Sequence, residues 1–232
     1  MANHEYWVAL SSVEGIGPVR IKYLLKRFGA IESVFEAELL EIAKLPLFDQ
    51  VLASRVSRAR LGLIEIRRRI EWLKSQGIYI VCLEDLEYPV QLQELQNAPP
   101  VLCCLGKLQE IPYNRSVTIV GSRNPSDSAI LETLNLTAQL VGAGFIIISG
   151  LANGIDTTAH LGTLSASGRT VAVIGSDLLS IHPADNRQLA TQISQNGMVL
   201  SEFLLPTPPS RANLISRNRI ISGLSMATIV ME

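Results

Sequence analysis

The sequence predicts an α/β fold: a doubly wound, mostly parallel sheet with helices on both faces, preceded by a small all-α segment. Three observations predict it. From Ser116 onward, short apolar β-branched runs alternate with stretches of helical periodicity, the pattern of repeated βα units. Ile146 to His160, I-I-I-S-G-L-A-N-G-I-D-T-T-A-H, reads as one such half-unit, a buried strand, a Gly-rich turn and a helix start. Residues 5–76, by contrast, show helical spacing and almost no strand signal. The expected division is therefore 1–76 and 77–232, with the boundary near Gly77.

In the first segment, Val8, Leu10 and Val13 lead into Gly15-Ile16-Gly17-Pro18. Ile21, Leu24, Leu25 and Phe28 follow at helical spacing, and Gly29 stops that helix. The glycine turn, followed by a helix carrying Arg20, Lys22, Lys26 and Arg27, looks like a helix-hairpin-helix, whose backbone amides can meet a DNA phosphate. A weaker copy lies around Leu45-Pro46-Leu47-Phe48 and lacks the Gly-x-Gly. The competing reading is a small helical bundle with a tight αα turn. A long helix is expected from Gln50 to Gln76, its arginines spread over many phases like a solvated face.

Strands are expected at Ile78–Leu83 and Val101–Leu105, separated by the proline-containing stretches Tyr88-Pro89 and Pro99-Pro100. Then come strand Val117–Val120, helix Ala129–Val141 with Leu131, Leu134 and Leu140 inward, and strand Phe145–Ile148. The next helix, Asp156–Ala166, has Asp156 as its expected cap. Strand Thr170–Ile174, helix Asn186–Asn196 and strand Met198–Leu200 follow. Phe203–Leu214 reads as a Pro-rich loop, Ser216–Ser222 as a short helix, and Ala227–Met231 as the last strand. A βα repeat ordinarily runs on into a helix that covers the sheet, so a longer natural chain or a covering element from elsewhere is expected.

Composition limits the function classes. The 232 residues are 47% apolar and 18% charged, a well-cored globular chain. No apolar run approaches the roughly 18–20 residues of a membrane span, and the N-terminus lacks the features of a signal peptide, so a cytoplasmic protein is expected. Cys82, Cys103 and Cys104 are an odd set inside apolar runs, which points to reduced core thiols rather than disulfides or a metal site. The net charge of −1 announces no nucleic-acid partner.

In such sheets ligands sit beyond the carboxyl ends of the strands. The first parallel strand delivers Gly121, Ser122 and Arg123 there. The second delivers Ser149, Gly150, Asn153, Gly154 and Asp156. His182 and Asn186 follow the third, and Arg217, Asn218 and Arg219 precede the last. Glycine turns, a helix start and three arginines are the chemistry of anion binding; the bland alternative is ordinary turn glycines and a surface ion pair, Arg123 with Asp127 or Glu202. Nothing equips the edge as a catalytic centre. Ser122, Ser149 and Ser201 have no evident base, and Asp156 with His160 finds no second ligand pair at metal spacing. The dinucleotide and P-loop glycine patterns are absent. No catalytic residue, metal or cofactor is expected.

At these residues the chain resembles the DNA-processing protein A (DprA/Smf) family. The matching stretches are Val117–Arg123, Ser149–Asp156 with Ala159-His160, Ser201-Glu202-Phe203, and above all Arg217-Asn218-Arg219-Ile220-Ile221-Ser222-Gly223-Leu224-Ser225. The resemblance covers essentially the whole chain. It implies an extended Rossmann-like domain after a small all-α helix-hairpin-helix (SAM-like) domain. It also implies a non-enzymatic, cytoplasmic, homodimeric protein that binds single-stranded DNA in the Rossmann pocket. Such a protein displaces single-strand-binding protein and loads the RecA recombinase during natural transformation. Three departures stand out: Ser126-Asp127-Ser128 where the family has Tyr-Gly, His182 where an aromatic is common, and Leu214-Ile215-Ser216 where Phe-Pro is usual. The alternative is an enzyme or sensor on the related fold that cleaves or binds a nucleotide. The Pro-Gly-Gly-x-Gly-Thr turn of such enzymes is replaced here by Ser149–Gly154.

Overall fold

The computed structural model describes residues 3–107, 111, 113–204 and 206–232. Met1 and Ala2, read above for a leader, and residue 205 of the Pro-rich stretch lie outside them. The chain divides into two compact units, Met1–Tyr88 with Gln93–Val101, and Pro89–Leu92 with Leu102–Glu232. Gly77 separates a helix and a strand that both belong to the first unit.

The first unit holds α1 (His4–Ser11), α2 (Pro18–Phe28), α3 (Ile31–Glu36), α4 (Leu39–Ala43), α5 (Gln50–Ala59), α6 (Leu63–Ser75) and β1 (Ile78–Cys82). Its helices bury Leu10, Ile21, Leu24, Ile31, Val34, Ile42 and Val56, the apolar positions spaced to face inward. The long helix expected from Gln50 to Gln76 is two helices. Arg60–Gly62 form a tighter 3-10 turn between them, with Leu61 86% exposed. Gly62 supplies the break, since glycine costs about 1 kcal/mol in a helix interior.

The two hairpins do share a plan. Gly15 (φ +87°) and Leu47 (φ +70°) sit at corresponding places. The next amide in each turns back, Ile16 N to Val13 O at 2.9 Å and Phe48 N to Leu45 O at 3.1 Å. Gly17, extended, precedes Pro18 at the start of α2; Asp49, also extended, precedes α5 and accepts from Leu52 N at 2.7 Å. Arg20 joins the turns, donating to Gly15 O at 2.7 Å and Leu47 O at 2.8 Å.

α7 (Val90–Gln93) follows. The second unit then contributes β2 (Val101–Gly106), β3 (Ser116–Gly121), α8 (Asp127–Gly142), β4 (Ile146–Ser149), α9 (Ile155–Ser165), β5 (Thr170–Ile174), α10 (Arg187–Asn196), β6 (Met198–Ser201), α11 (Arg211–Gly223) and β7 (Ala227–Met231). Its strands run in the order β2-β6-β5-β4-β3-β7. β6, β5, β4, β3 and β7 pair in parallel, and β2 lies antiparallel to β6. The sheet is mixed, with helices on both faces. The interior strands are buried along their whole length, as a sheet covered on both faces requires.

From β3 the chain steps outward through β4, β5 and β6, then returns to the other side of β3 as β7. Right-handed crossovers put the helices of the outward path on one face and the returning helix on the other. The direction reverses between β3 and β7, and a crevice opens beyond the strand ends at such a reversal.

Two local expectations are corrected. Leu131 is 61% exposed, because α8 turns Ala129, Thr133 and Thr137 to the core instead. Small residues are needed on that stripe, since α9 comes close enough that a side chain at Gly162 would strike Thr137 Oγ1. The helix before the last strand begins at Arg211 rather than Ser216. Ser210 caps it, its hydroxyl accepting from Asn213 N at 3.1 Å.

Candidate nucleic-acid interface

The turn after β4 is fixed from three sides. Ser149 Oγ donates to Ile119 O at 2.6 Å and binds β4 to β3. Leu151 (φ +60°) and Gly154 (φ +82°) take the left-handed backbone that reverses the chain into α9. A Cβ on residue 154 would stand 2.7 Å from Arg123 O, so the turns after β3 and β4 can approach only through glycine. Ile155 N donates to Ser122 O at 3.0 Å across the same gap. Asn186, 7% exposed, clamps the outer side, donating to Leu151 O at 3.0 Å and Thr157 Oγ1 at 2.8 Å.

This stitching changes what the helix start can do. Ile155 N is taken by Ser122 O and Thr157 N by Ala152 O. Asp156 lies in the first turn, not at the cap, which is Gly154. Its carboxylate accepts from Ala152 N at 3.4 Å. The positive end of α9 therefore already holds a carboxylate and is no open anion seat.

Arg217 is the centre of the buried side. It is 5% exposed and donates through Nη1 to Gly150 O and Val173 O, with Nε on Asn218 Oδ1 at 3.2 Å. Burial pulls its pKa down to about 10, against the attraction of Asp156; Arg123 pushes it the same way as burial. Burial pushes the Asp156 carboxyl up, opposed by Arg217 and by backbone amides. His160 is wholly buried, its Nδ1 2.7 Å from Thr170 Oγ1. Thr170 gives its own proton to Ile147 O at 2.7 Å, so Nδ1 must be the donor. Burial, then Arg217, draws this imidazole down to about 3. Asp156 and His160 share a helix face but are committed to different partners, so they do not make a metal pair.

Above this buried layer a cleft of about 1230 Å³ opens at the β3–β7 reversal. Of the thirteen expected site residues, it is lined by Gly121, Ser122, Arg123, Asp156, His182, Arg217, Asn218 and Arg219. Ser149, Gly150, Asn153, Gly154 and Asn186 do not line it. Most of those five shape the turn beneath it, while Asn153 is exposed beside it. Arg123 is exposed and, among the described residues, has no ion-pair partner. Glu202 is occupied by Arg219, with contacts of 2.6 and 3.1 Å and both side chains largely covered. His182 and Asn218 are exposed. Arg211, at the start of α11, is an exposed lining cation that sequence reading missed. Reading 203–214 as loop hid it; the Ser210 cap was the available signal. Of the three departures, His182 and Leu214-Ile215 line the cleft, and Ser126 stands on Glu232, a lining residue. Ser126 caps α8, accepting from Ala129 N at 3.2 Å, and holds Glu232 Oε2 at 2.6 Å.

The arrangement presents guanidinium groups and exposed amide and imidazole side chains around a broad cleft. Residues 79–232 match the family described as DNA recombination-mediator protein A. The chain belongs to that family. It is 39% identical over 240 residues to Protein Smf of Synechocystis, covering 100% of this chain and 59% of that protein. DNA processing protein A from Streptococcus pneumoniae superposes with a TM-score of 0.82 at 28% identity, over 100% of this chain and 78% of that one. A structure concerned with the unique single-stranded DNA binding mode of DNA processing protein A from Helicobacter pylori matches at TM-score 0.59 and 29% identity, over 65% and 68%. The chain thus spans about 60% of the length of its curated relative. Among the described residues, no helix is long and apolar enough to cross a membrane.

Proposed function

We propose that this member of the recombination-mediator family binds single-stranded DNA along the β3–β7 cleft, without chemistry of its own. The carrying observation is Arg123, at the carboxyl end of β3 and exposed, without an ion-pair partner among the described residues, lining a cleft that opens at the sheet's reversal point. A planar fork there grips phosphate oxygens in pairs, while His182 and Asn218 offer surfaces to bases and sugars. The buried Asp156–Arg217 layer serves to hold the cleft floor. The relative from Helicobacter pylori, with its single-stranded DNA mode, supports the same ligand. Handing the strand to RecA, displacing single-strand-binding protein, pairing as a homodimer and acting in the cytoplasm complete the reading. The segment 1–76 then acts as a helix-hairpin-helix accessory to 77–232, a role supported by its duplicated hairpins.

A gel shift with oligo-dT, blunt duplex and free nucleotides tests the ligand. Oligo-dT should bind best, and its affinity should fall with salt at a slope of about −0.7 per phosphate neutralised. Preference for a free nucleotide would favour the sensor or nucleotide-cleaving reading. Equal affinity for duplex would move the DNA contact to the hairpins.

A further inference from the structure

We propose that His4, Cys82 and Asp85 form a zinc site within the first unit. The three come from the start of α1, the end of β1 and the turn after it, and their ligand atoms lie within 4.8 Å of one another. One imidazole nitrogen, one thiolate and one carboxylate form a donor set suited to Zn²⁺, with water as the fourth ligand. A tetrahedral zinc with these bonds needs ligand-to-ligand edges of roughly 3.3–3.6 Å. His4 Nε2 and Asp85 Oδ2 are 2.9 Å apart, so that pair need part by only about 0.4 Å to admit the ion.

The carboxylate is already oriented. Cys82 N donates to Asp85 Oδ2 at 2.7 Å, the outer hydrogen bond that metal-ligating carboxylates ordinarily have. Cys82 is 1% exposed, whereas the side chains of His4 and Asp85 are 19% and 13% exposed, which leaves an entry on their side. Binding displaces the Cys82 thiol proton and leaves the His4 proton on Nδ1; both the Zn–S and Zn–N bonds form without any change in oxidation state. The ion then pins the start of α1 to the end of β1.

The test uses the full chain, reduced, stripped with chelator and desalted, then titrated with Co²⁺ as an optical probe. One equivalent should bind, with a thiolate-to-cobalt charge-transfer band in the near ultraviolet, and Zn²⁺ should abolish that band by competition. Cys82→Ser should remove the band although Cys103 and Cys104 remain. Asp85→Asn, which keeps size and folding, should retain the band but weaken Co²⁺ binding by about tenfold or more. Absence of one-to-one binding overturns the site, as does a band undiminished in Cys82→Ser or an unchanged affinity in Asp85→Asn.

Discussion

The Arg217 guanidinium fills the space that a side chain at Gly150 would need, and donates to the Gly150 carbonyl. One arginine of α11 thereby closes over the ends of β4 and β5, where Val173 O is its second acceptor. Asp156 beside it balances the charge. The glycine is required by the arginine, not by its own backbone angle.

Arg217→Ala should accordingly act on stability first. It leaves the Gly150 and Val173 carbonyls without their buried donor and removes the opposite charge near Asp156, a loss of about 1–3 kcal/mol for each unsatisfied group. Gly150→Ala should cost about 1–3 kcal/mol through overpacking against the same guanidinium. Urea unfolding of both variants checks this; an Arg217→Ala midpoint equal to the parent's would contradict the buried role.

Stability should fall with acid through His160. Its folded pKa, about 3, lies below the unfolded value of about 6.5, so the unfolded chain takes up a proton that the folded one refuses. The contribution is complete above pH of about 6.5 and is lost as pH falls toward about 3, at up to about 1.4 kcal/mol per unit. Asp156, raised by burial, works in the opposite sense. His160→Gln should flatten the slope between those limits in pH-dependent melting; an unchanged slope would show that the imidazole is protonated inside the fold.

Much of this was legible beforehand. Strict alternation of apolar runs and helical spacing reveals the sheet, and the strand-end rule selects Arg123 and Ser122 without any structure. What stayed hidden was commitment. Arg217, Arg219 and Arg123 look alike in a sequence, but tertiary packing buries the first and pairs the second with Glu202. The α9 terminus looked open because backbone acceptors such as Ser122 O and Ala152 O leave no sequence signal. His4 and Asp85 escape pattern reading for a simpler reason, as they lie at opposite ends of the first unit.

Arg211, exposed at the start of α11 and lining the cleft, should add a second phosphate contact beside Arg123. Arg211→Ala should weaken oligo-dT binding severalfold and reduce the salt slope by about 0.7, the loss of one phosphate. A salt titration of the variant beside the parent measures both; an unchanged slope would remove Arg211 from the path of the strand.

The most direct measurement is oligo-dT affinity and melting temperature on a single preparation of Arg123→Ala. Losing a hydrogen bond to a charged group should cost on the order of 1.5–3 kcal/mol, roughly 10- to 150-fold in affinity. Arg123→Lys should recover part of it, since an ammonium cannot reproduce the paired contact. Melting should be unchanged, because the side chain stands in solvent without an ion-pair partner among the described residues. Unchanged affinity with a melting point lowered by several degrees would contradict the cleft as the DNA site.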